Sequence, residues 1–193
     1  MLKNTKNTNN IPLAQKVRPS TFEEFLGQEH IYSSNSLLKA ISDSLAFNSL
    51  IFWGPSGTGK TTLAQIIANH CKLKFVSLSA VQSGVKEIRE HIEHSKTLID
   101  QGQNPILIFM DEIHRLNTAQ QDVLLPSLEQ GIIKFIGATS ENPSFKVNNS
   151  ILSRSLVFKF NPLEHEALIK IIKRAINLTN SNNNISIDNE VIQ

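Results

Sequence analysis

One cysteine, Cys71, occurs in 193 residues. That excludes an internal disulfide framework and any Cys₂His₂ or Cys₄ zinc site. Neither sign of charge is in surplus: 19 Lys and Arg stand against 17 Asp and Glu, a formal balance of +2. A histone-like polycation is therefore excluded, and an anionic partner must be gripped by a local patch. No uninterrupted apolar run approaches the roughly 18 residues that a bilayer crossing needs. Residues 1–10 are polar and have no apolar centre, unlike a signal peptide or anchor. The expectation is a soluble, intracellular protein with no membrane partner. With 40% hydrophobic and 19% charged residues, wholesale disorder is excluded too, and the length suits one α/β domain and part of a second.

Residues 1–11 are rich in Asn, Thr and Lys without periodicity and read as a flexible arm. Beyond them, strand-like and helix-like stretches alternate, and internal repeats are lacking. Leu37, Leu38, Ile41 and Leu45 fall at helical spacing, as do Leu63, Ile66 and Ile67, and then Val85, Ile88 and Ile92. Apolar runs at Ser49–Trp53, Phe75–Leu78, Ile106–Met110, Ile132–Gly137 and Ser155–Phe160 read as strands. ILIFM at 106–110 has no polar alternation, which suits a parallel sheet covered on both faces. Asn117 is placed to cap a helix carrying Val123, Leu124 and Leu128, with Pro126 expected to kink it. The alternation predicts βαβ crossovers and an αβα three-layer domain over residues 12–160. After Pro162, Leu168, Ile171, Ile172, Ala175 and Ile176 mark one long amphipathic helix, followed by a polar loop at 180–184. Residues 161–193 read as the opening of a helical lid domain.

Gly54-Pro55-Ser56-Gly57-Thr58-Gly59-Lys60-Thr61 fits G-x-x-x-x-G-K-[ST], between an apolar strand and a helix as that motif requires. A chance match of its four fixed positions occurs in about one chain in a hundred at ordinary glycine usage. The glycines let backbone N–H groups turn inward around a phosphate, at the positive end of the following helix. Lys60 is placed to reach β- and γ-phosphates, and the Thr61 hydroxyl to ligate Mg²⁺, with Thr62 beside it in the same binding stretch. Asp111-Glu112 directly follows the strand ILIFM. Carboxylates there project into the crevice where parallel sheets bind ligands, which suits Asp111 to the Mg²⁺ shell and Glu112 to polarising a water.

With these residues placed, the chain resembles an AAA+ P-loop ATPase of the clamp-loader and RuvB-like branch, from about Pro12 to Leu163. Asp111-Glu112-Ile113-His114-Arg115 is similar to that branch's extended Walker B segment. Asn117-Thr118-Ala119-Gln120-Gln121-Asp122, Leu125-Pro126, Glu129-Gln130-Gly131 and Gly137-Ala138-Thr139-Ser140-Glu141-Asn142-Pro143-Ser144-Phe145 narrow the resemblance to the replication-associated recombination protein A family.

The resemblance implies a sheet order of 5-1-4-3-2. Ser140 matches the sensor-1 position, where the family more often has Thr, and Thr139 is placed to share that role. Arg154 of Ser153-Arg154 matches an arginine that reaches the γ-phosphate bound by a neighbouring subunit, in keeping with its place just before the last strand, at the sheet's rim. Arg18, Pro19 and Gln28 lie in the segment that folds over adenine. The sensor-2 arginine of the branch would lie beyond Gln193. The implied activity is Mg²⁺-dependent ATP hydrolysis coupled to DNA transactions at stalled or gapped forks. Implied with it are a homo-oligomer, a single-stranded-DNA-binding protein as partner, and a cytoplasmic, nucleoid-associated location. A clamp-loader subunit, a RuvB-like branch-migration motor, a non-hydrolysing nucleotide-binding module and a DNA-binding scaffold remain alternatives.

Other features take plainer readings. His91 and His94 lie one helical turn apart without an evident third ligand and read as a solvated helix face. His165-Glu166 opens like H-E-x-x-H, but Ile169 replaces the second histidine. Cys71 reads as a packing residue, and so does Trp53. Lys3, Lys6, Lys16 and Arg18 read as solvated charges.

Overall fold

The computed structural model describes residues 12–33 and 36–180. The arm expected over 1–11 and everything after Asn180 lie outside the described residues. Three short helices come first, α1 (Leu13–Lys16), α2 (Glu29–Tyr32) and α3 (Leu37–Asp43). The alternating core follows as β1 (Ser49–Trp53), α4 (Lys60–His70), β2 (Lys74–Ser79), α5 (Val85–Asp100) and β3 (Ile106–Asp111). After a 3₁₀ turn at Ile113–Arg115 come α6 (Thr118–Glu129), β4 (Ile133–Thr139), α7 (Pro143–Lys146), α8 (Asn149–Leu152), β5 (Leu156–Lys159) and α9 (His165–Asn180).

The five strands form one parallel sheet in the order β2-β3-β4-β1-β5, which is the expected 5-1-4-3-2 read from the other edge. Side-chain alternation sorts the strands' apolar residues into two cores. Leu50, Phe52, Leu107, Phe109, Ile136 and Ala138 pack with Leu63, Ile66 and Ile67 of α4. Ile51, Ile106, Ile108, Met110, Ile133 and Phe135 pack with Ile88 and Ile92 of α5 and Leu124 and Leu128 of α6. The near-continuous apolar runs are therefore a consequence of burial on both faces.

Caps set the helix starts. Asn117 and Gln120 form a capping box, each side chain accepting the other's backbone N–H at 2.9 Å. The buried Gln120 amide then donates to Ala80 O and Ser83 O at 3.0 and 2.7 Å, pinning the β2–α5 loop. Helix α6 runs through Pro126 as one element. Helix α3 stops at Asp43, short of the expected Leu45, which sits instead at φ 54° in the left-handed region. Strand β4 reaches two residues further than the apolar run, to Thr139. Cys71 is buried, with its thiol donating to Ser42 O at 3.2 Å. Trp53 is half-buried, with the Lys159 ammonium 5.4 Å above its ring.

One contact ties the core directly to the site. A Cβ on Gly137 of β4 would stand 2.7 Å from Ile113 Cγ2 and 2.8 Å from its Cδ1. Gly137 thus lets the 3₁₀ turn that follows Glu112 lie flat on the sheet. Gly137→Ala should lower the unfolding free energy by about 1–3 kcal/mol, the cost of overpacking. In urea titrations, Gly137→Ala combined with Ile113→Ala should cost less than the sum of the two single changes.

Candidate functional site

Because the sheet is parallel, β1, β4 and β3 all deliver their carboxyl ends to one edge, and they are neighbours. From β1 the chain enters Gly54–Gly59, a loop that closes on α4. Gly59 stands at φ 95°, and a Cβ there would come within 2.8 Å of the Phe25 ring, so glycine is required for both conformation and space. The Thr58 hydroxyl donates to Pro55 O at 2.9 Å and braces the loop from within. Lys60 Nζ donates to Gly54 O and Pro55 O at 2.7 and 2.8 Å. Burial pulls the Lys60 pKa below the ordinary lysine value, while Asp111 and Glu112 act in the opposite direction.

A cleft of about 290 Å³ is lined by Arg18, Ser56, Gly57, Gly59, Lys60, Thr61, Thr62, Asp111, Glu112 and Ser140. Asp111 Oδ1 accepts the Glu112 N–H at 3.0 Å, which leaves Oδ2 for other work. Glu112 has φ 56° and ψ 44°, a left-handed conformation uncommon for a residue with a Cβ. Strain of this kind is held by its surroundings and concentrates at working sites. At the end of β4, Thr139 is buried, and its hydroxyl oxygen accepts the Glu141 N–H at 3.0 Å and lies 3.1 Å from His114 Nδ1. Thr139 is thus engaged inside the protein, and its exposed neighbour Ser140 is the one that lines the cleft.

Beside the loop lies a second cavity of about 250 Å³ with apolar walls from Val17, Pro19, Leu26, Leu163 and Ile171. Arg18, Gly57, Gly59 and Thr62 line both spaces. An ion pair between Arg174 of α9 and Glu24 at 2.9 Å joins two segments that border the second cavity. The apolar slot therefore shares walls with a polar cleft that carries hydroxyl, ammonium and carboxylate groups. Thr61 and Asp111, both in the cleft lining, offer oxygens of the hard kind that could hold Mg²⁺.

Four of the expected site residues line neither space: Gly54, whose carbonyl accepts from Lys60, and Pro55, Gln28 and Arg154. Gln28 is fully buried and lines neither space. Its amide accepts from Asn161 N at 3.0 Å and donates to Asn161 O at 2.7 Å and Thr58 O at 3.4 Å. Gln28 is thus a clamp between the loop and the chain after β5, because every polar atom of its side chain is spent on backbone. Pro55 contributes its carbonyl to Lys60 and Thr58 and does not line the cleft. Arg154 lies outside both spaces and pairs with Glu129 of α6, its Nη2 2.6 Å and its Nε 2.7 Å from Oε1.

Sequence reasoning assigned no role to His114, Glu141, Leu163 or Arg174. His114 sits inside the quoted motif, yet only the fold shows that it reaches β4. Leu163 and Arg174 carry no local signal, since their partners are more than a hundred residues away.

A chain with this sheet, loop and carboxylate pair is a P-loop αβα nucleotide-binding domain. It belongs to the ATPase family associated with various cellular activities (AAA), which matches residues 50–163. It is 46% identical over 178 residues to "ATPase WRNIP1" of Dictyostelium discoideum, covering 92% of this chain and 20% of that protein. It is 44% identical over 165 residues to "Replication-associated recombination protein A" of Escherichia coli K12, covering 86% of this chain and 37% of that protein. The chain therefore spans a fifth to about two fifths of the length of these relatives. Among solved structures, it resembles a Thermotoga maritima RuvB mutant at TM-score 0.72 and 27% identity, covering 92% of this chain and 59% of the other. The Thermotoga maritima "RuvB Holliday junction branch migration motor" gives TM-score 0.69 and 29% identity, covering 85% and 55%. Among the described residues, no helix is long and apolar enough to cross a membrane.

Gln28→Leu preserves bulk but leaves Asn161 N–H, Asn161 O and Thr58 O without their side-chain partner. Unfolding in urea should show a loss of about 2–3 kcal/mol, the scale of stranded buried groups. A loss below about 0.5 kcal/mol would contradict the clamp role.

Proposed function

We propose that this chain is the ATP-hydrolysing part of a DNA replication, recombination and repair factor that works at stalled or gapped forks. The observation that carries the reading is the convergence of Lys60, Thr61, Asp111, Glu112 and Ser140 on one cleft, next to an apolar slot. Names of the relatives support the DNA context. The base occupies the slot beside Val17, Pro19 and Leu163, and α9 opens a lid that covers it. Lys60 leaves its loop carbonyls for the β- and γ-phosphate oxygens, a charge-assisted exchange. Thr61 and Asp111 hold Mg²⁺, which neutralises phosphate charge when bound. Glu112 takes a proton from the water that attacks the γ-phosphorus, the bond to the β-phosphate oxygen breaks, and Ser140 orients that water.

Arg154 acts in trans, on a nucleotide held by a neighbouring copy. Its ion pair with Glu129 is half-exposed on both sides. Such pairs are worth about 0–1 kcal/mol, so γ-phosphate can displace Glu129 at small cost. A guanidinium then meets phosphate oxygens in its preferred planar fork, and comparable fingers contribute about 10³–10⁵ in rate. The ATPase of the complete protein, measured with duplex ends, gapped DNA, single strands and no DNA, tests the reading. Stimulation by gapped or forked DNA supports it, and indifference to all DNA removes the fork assignment.

Lys60→Ala should weaken ATP·Mg²⁺ binding about ten- to a hundredfold in a calorimetric titration, the worth of one charged hydrogen bond. Glu112→Gln should bind ATP normally and turn over about 10²–10⁴ times more slowly, the share of a general base. Arg154→Ala in the complete protein should bind ATP and hydrolyse it poorly. Mixing it with Lys60→Ala protein should restore part of the activity. If mixed oligomers form and nothing is restored, the trans assignment fails.

A further inference from the structure

His114 is a polar side chain only 7% exposed, in contact with Glu112 of the cleft lining. Its Nε2 lies 3.2 Å from Glu112 Oε2 and 3.4 Å from Glu141 Oε1. Its Nδ1 lies 3.1 Å from the hydroxyl of the buried Thr139. Two carboxylates facing one ring nitrogen fix the tautomer: Nε2 carries a hydrogen, because a lone pair there would be repelled by both. That single N–H has two acceptors. Glu141 has a further partner in Lys146 of α7, whose Nζ is 3.6 Å from Oε2. Glu112 has Arg115 Nε at 3.8 Å, beyond hydrogen-bond range, on a largely exposed side chain. The histidine contact is thus the shorter and better shielded of the two that bear on the Glu112 carboxylate.

The backbone reinforces this geometry. Glu112 is held in the left-handed region, and Ile113 behind it is pressed against Gly137. The 3₁₀ turn therefore fixes the Glu112 Cα, and a carboxylate three bonds further out still needs a partner to fix its rotamers. His114 is anchored in turn by Thr139, at the end of the strand that presents Ser140. One imidazole thereby joins the ends of β3 and β4.

We propose that His114 is a positioning residue: its Nε2–H, shared between Glu112 and Glu141, aims the Glu112 carboxylate into the cleft and keeps it in register with Ser140. The proposal rests on the reading of Glu112 as the base in ATP hydrolysis. The histidine touches no reacting atom and acts through Glu112. Its loss therefore bears on the chemical step and leaves nucleotide binding alone, because Lys60, Thr61 and the apolar slot lie on other elements.

Steady-state ATP hydrolysis by the complete protein tests this with His114→Ala and His114→Gln, alongside melting curves and binding of a fluorescent ATP analogue. For His114→Ala, kcat should fall about tenfold with KM and analogue affinity within about twofold of wild type, the pattern of a lost transition-state interaction. His114→Gln keeps one N–H donor at similar reach and should recover kcat to within about threefold of wild type. Unchanged kcat in folded His114→Ala protein overturns the proposal, as does a loss confined to KM. If His114→Ala fails to fold, His114→Gln decides alone, and kcat more than tenfold below wild type overturns it. Wild-type protein that hydrolyses no ATP overturns the underlying reading of Glu112, whereas active wild type with an unaffected His114→Ala overturns this inference alone.

Discussion

The parallel pairing of β4 with β1 on one side and β3 on the other is the constraint on which the rest of the cleft depends. It sets the phosphate-binding loop after β1, Ser140 after β4 and the Asp111-Glu112 pair after β3 side by side along one edge. None of these segments is close to the next in sequence. Their meeting follows from strand order and from burial of Ile51, Ile108 and Phe135 on one face and Phe52, Phe109 and Ile136 on the other. Even Gly137 serves this pairing, since its missing Cβ makes room for the turn that holds Glu112.

A second tie works at longer range. Gln28 binds Asn161 across 133 positions and reaches the Thr58 carbonyl as well. The segment before β1, the phosphate loop and the chain after β5 are thereby locked together, and the apolar slot forms in the space they enclose. Arg174 and Glu24 repeat the tie at the slot's outer wall. The two spaces thus have different supports. The polar cleft hangs on the sheet, while the slot hangs on contacts between segments that are remote in sequence.

That difference explains what the sequence could reveal. Strand β1 was legible to the residue, because Ser49–Trp53 is an apolar run closed by a glycine loop. The Asn117 cap was legible because a capping box is local. Both strongly marked parts of the cleft, Gly54–Thr61 and Asp111-Glu112, are local motifs as well. Leu45 misled because helical spacing does not report a left-handed residue. Gln28 misled in another way: a position near a ligand was foreseen, but only the fold shows that its amide is consumed by backbone. His114 was visible as a letter and silent as a role, since its partners Thr139 and Glu141 come from another strand. Arg154 was expected at the rim from its place just before the last strand, and its link to Glu129 of α6 needed the folded chain.

The account's central claim is that one nucleotide spans both spaces, base in the slot and phosphates in the cleft. A crystal structure of the protein with Mg²⁺ and a non-hydrolysable ATP analogue tests it most directly. The account predicts the base between Val17, Pro19 and Leu163, Lys60 Nζ moved from Gly54 O and Pro55 O onto phosphate oxygens, and Thr61 Oγ1 in the metal's coordination shell. A nucleotide bound with its base outside the slot, or with Lys60 still on its loop carbonyls, would contradict it.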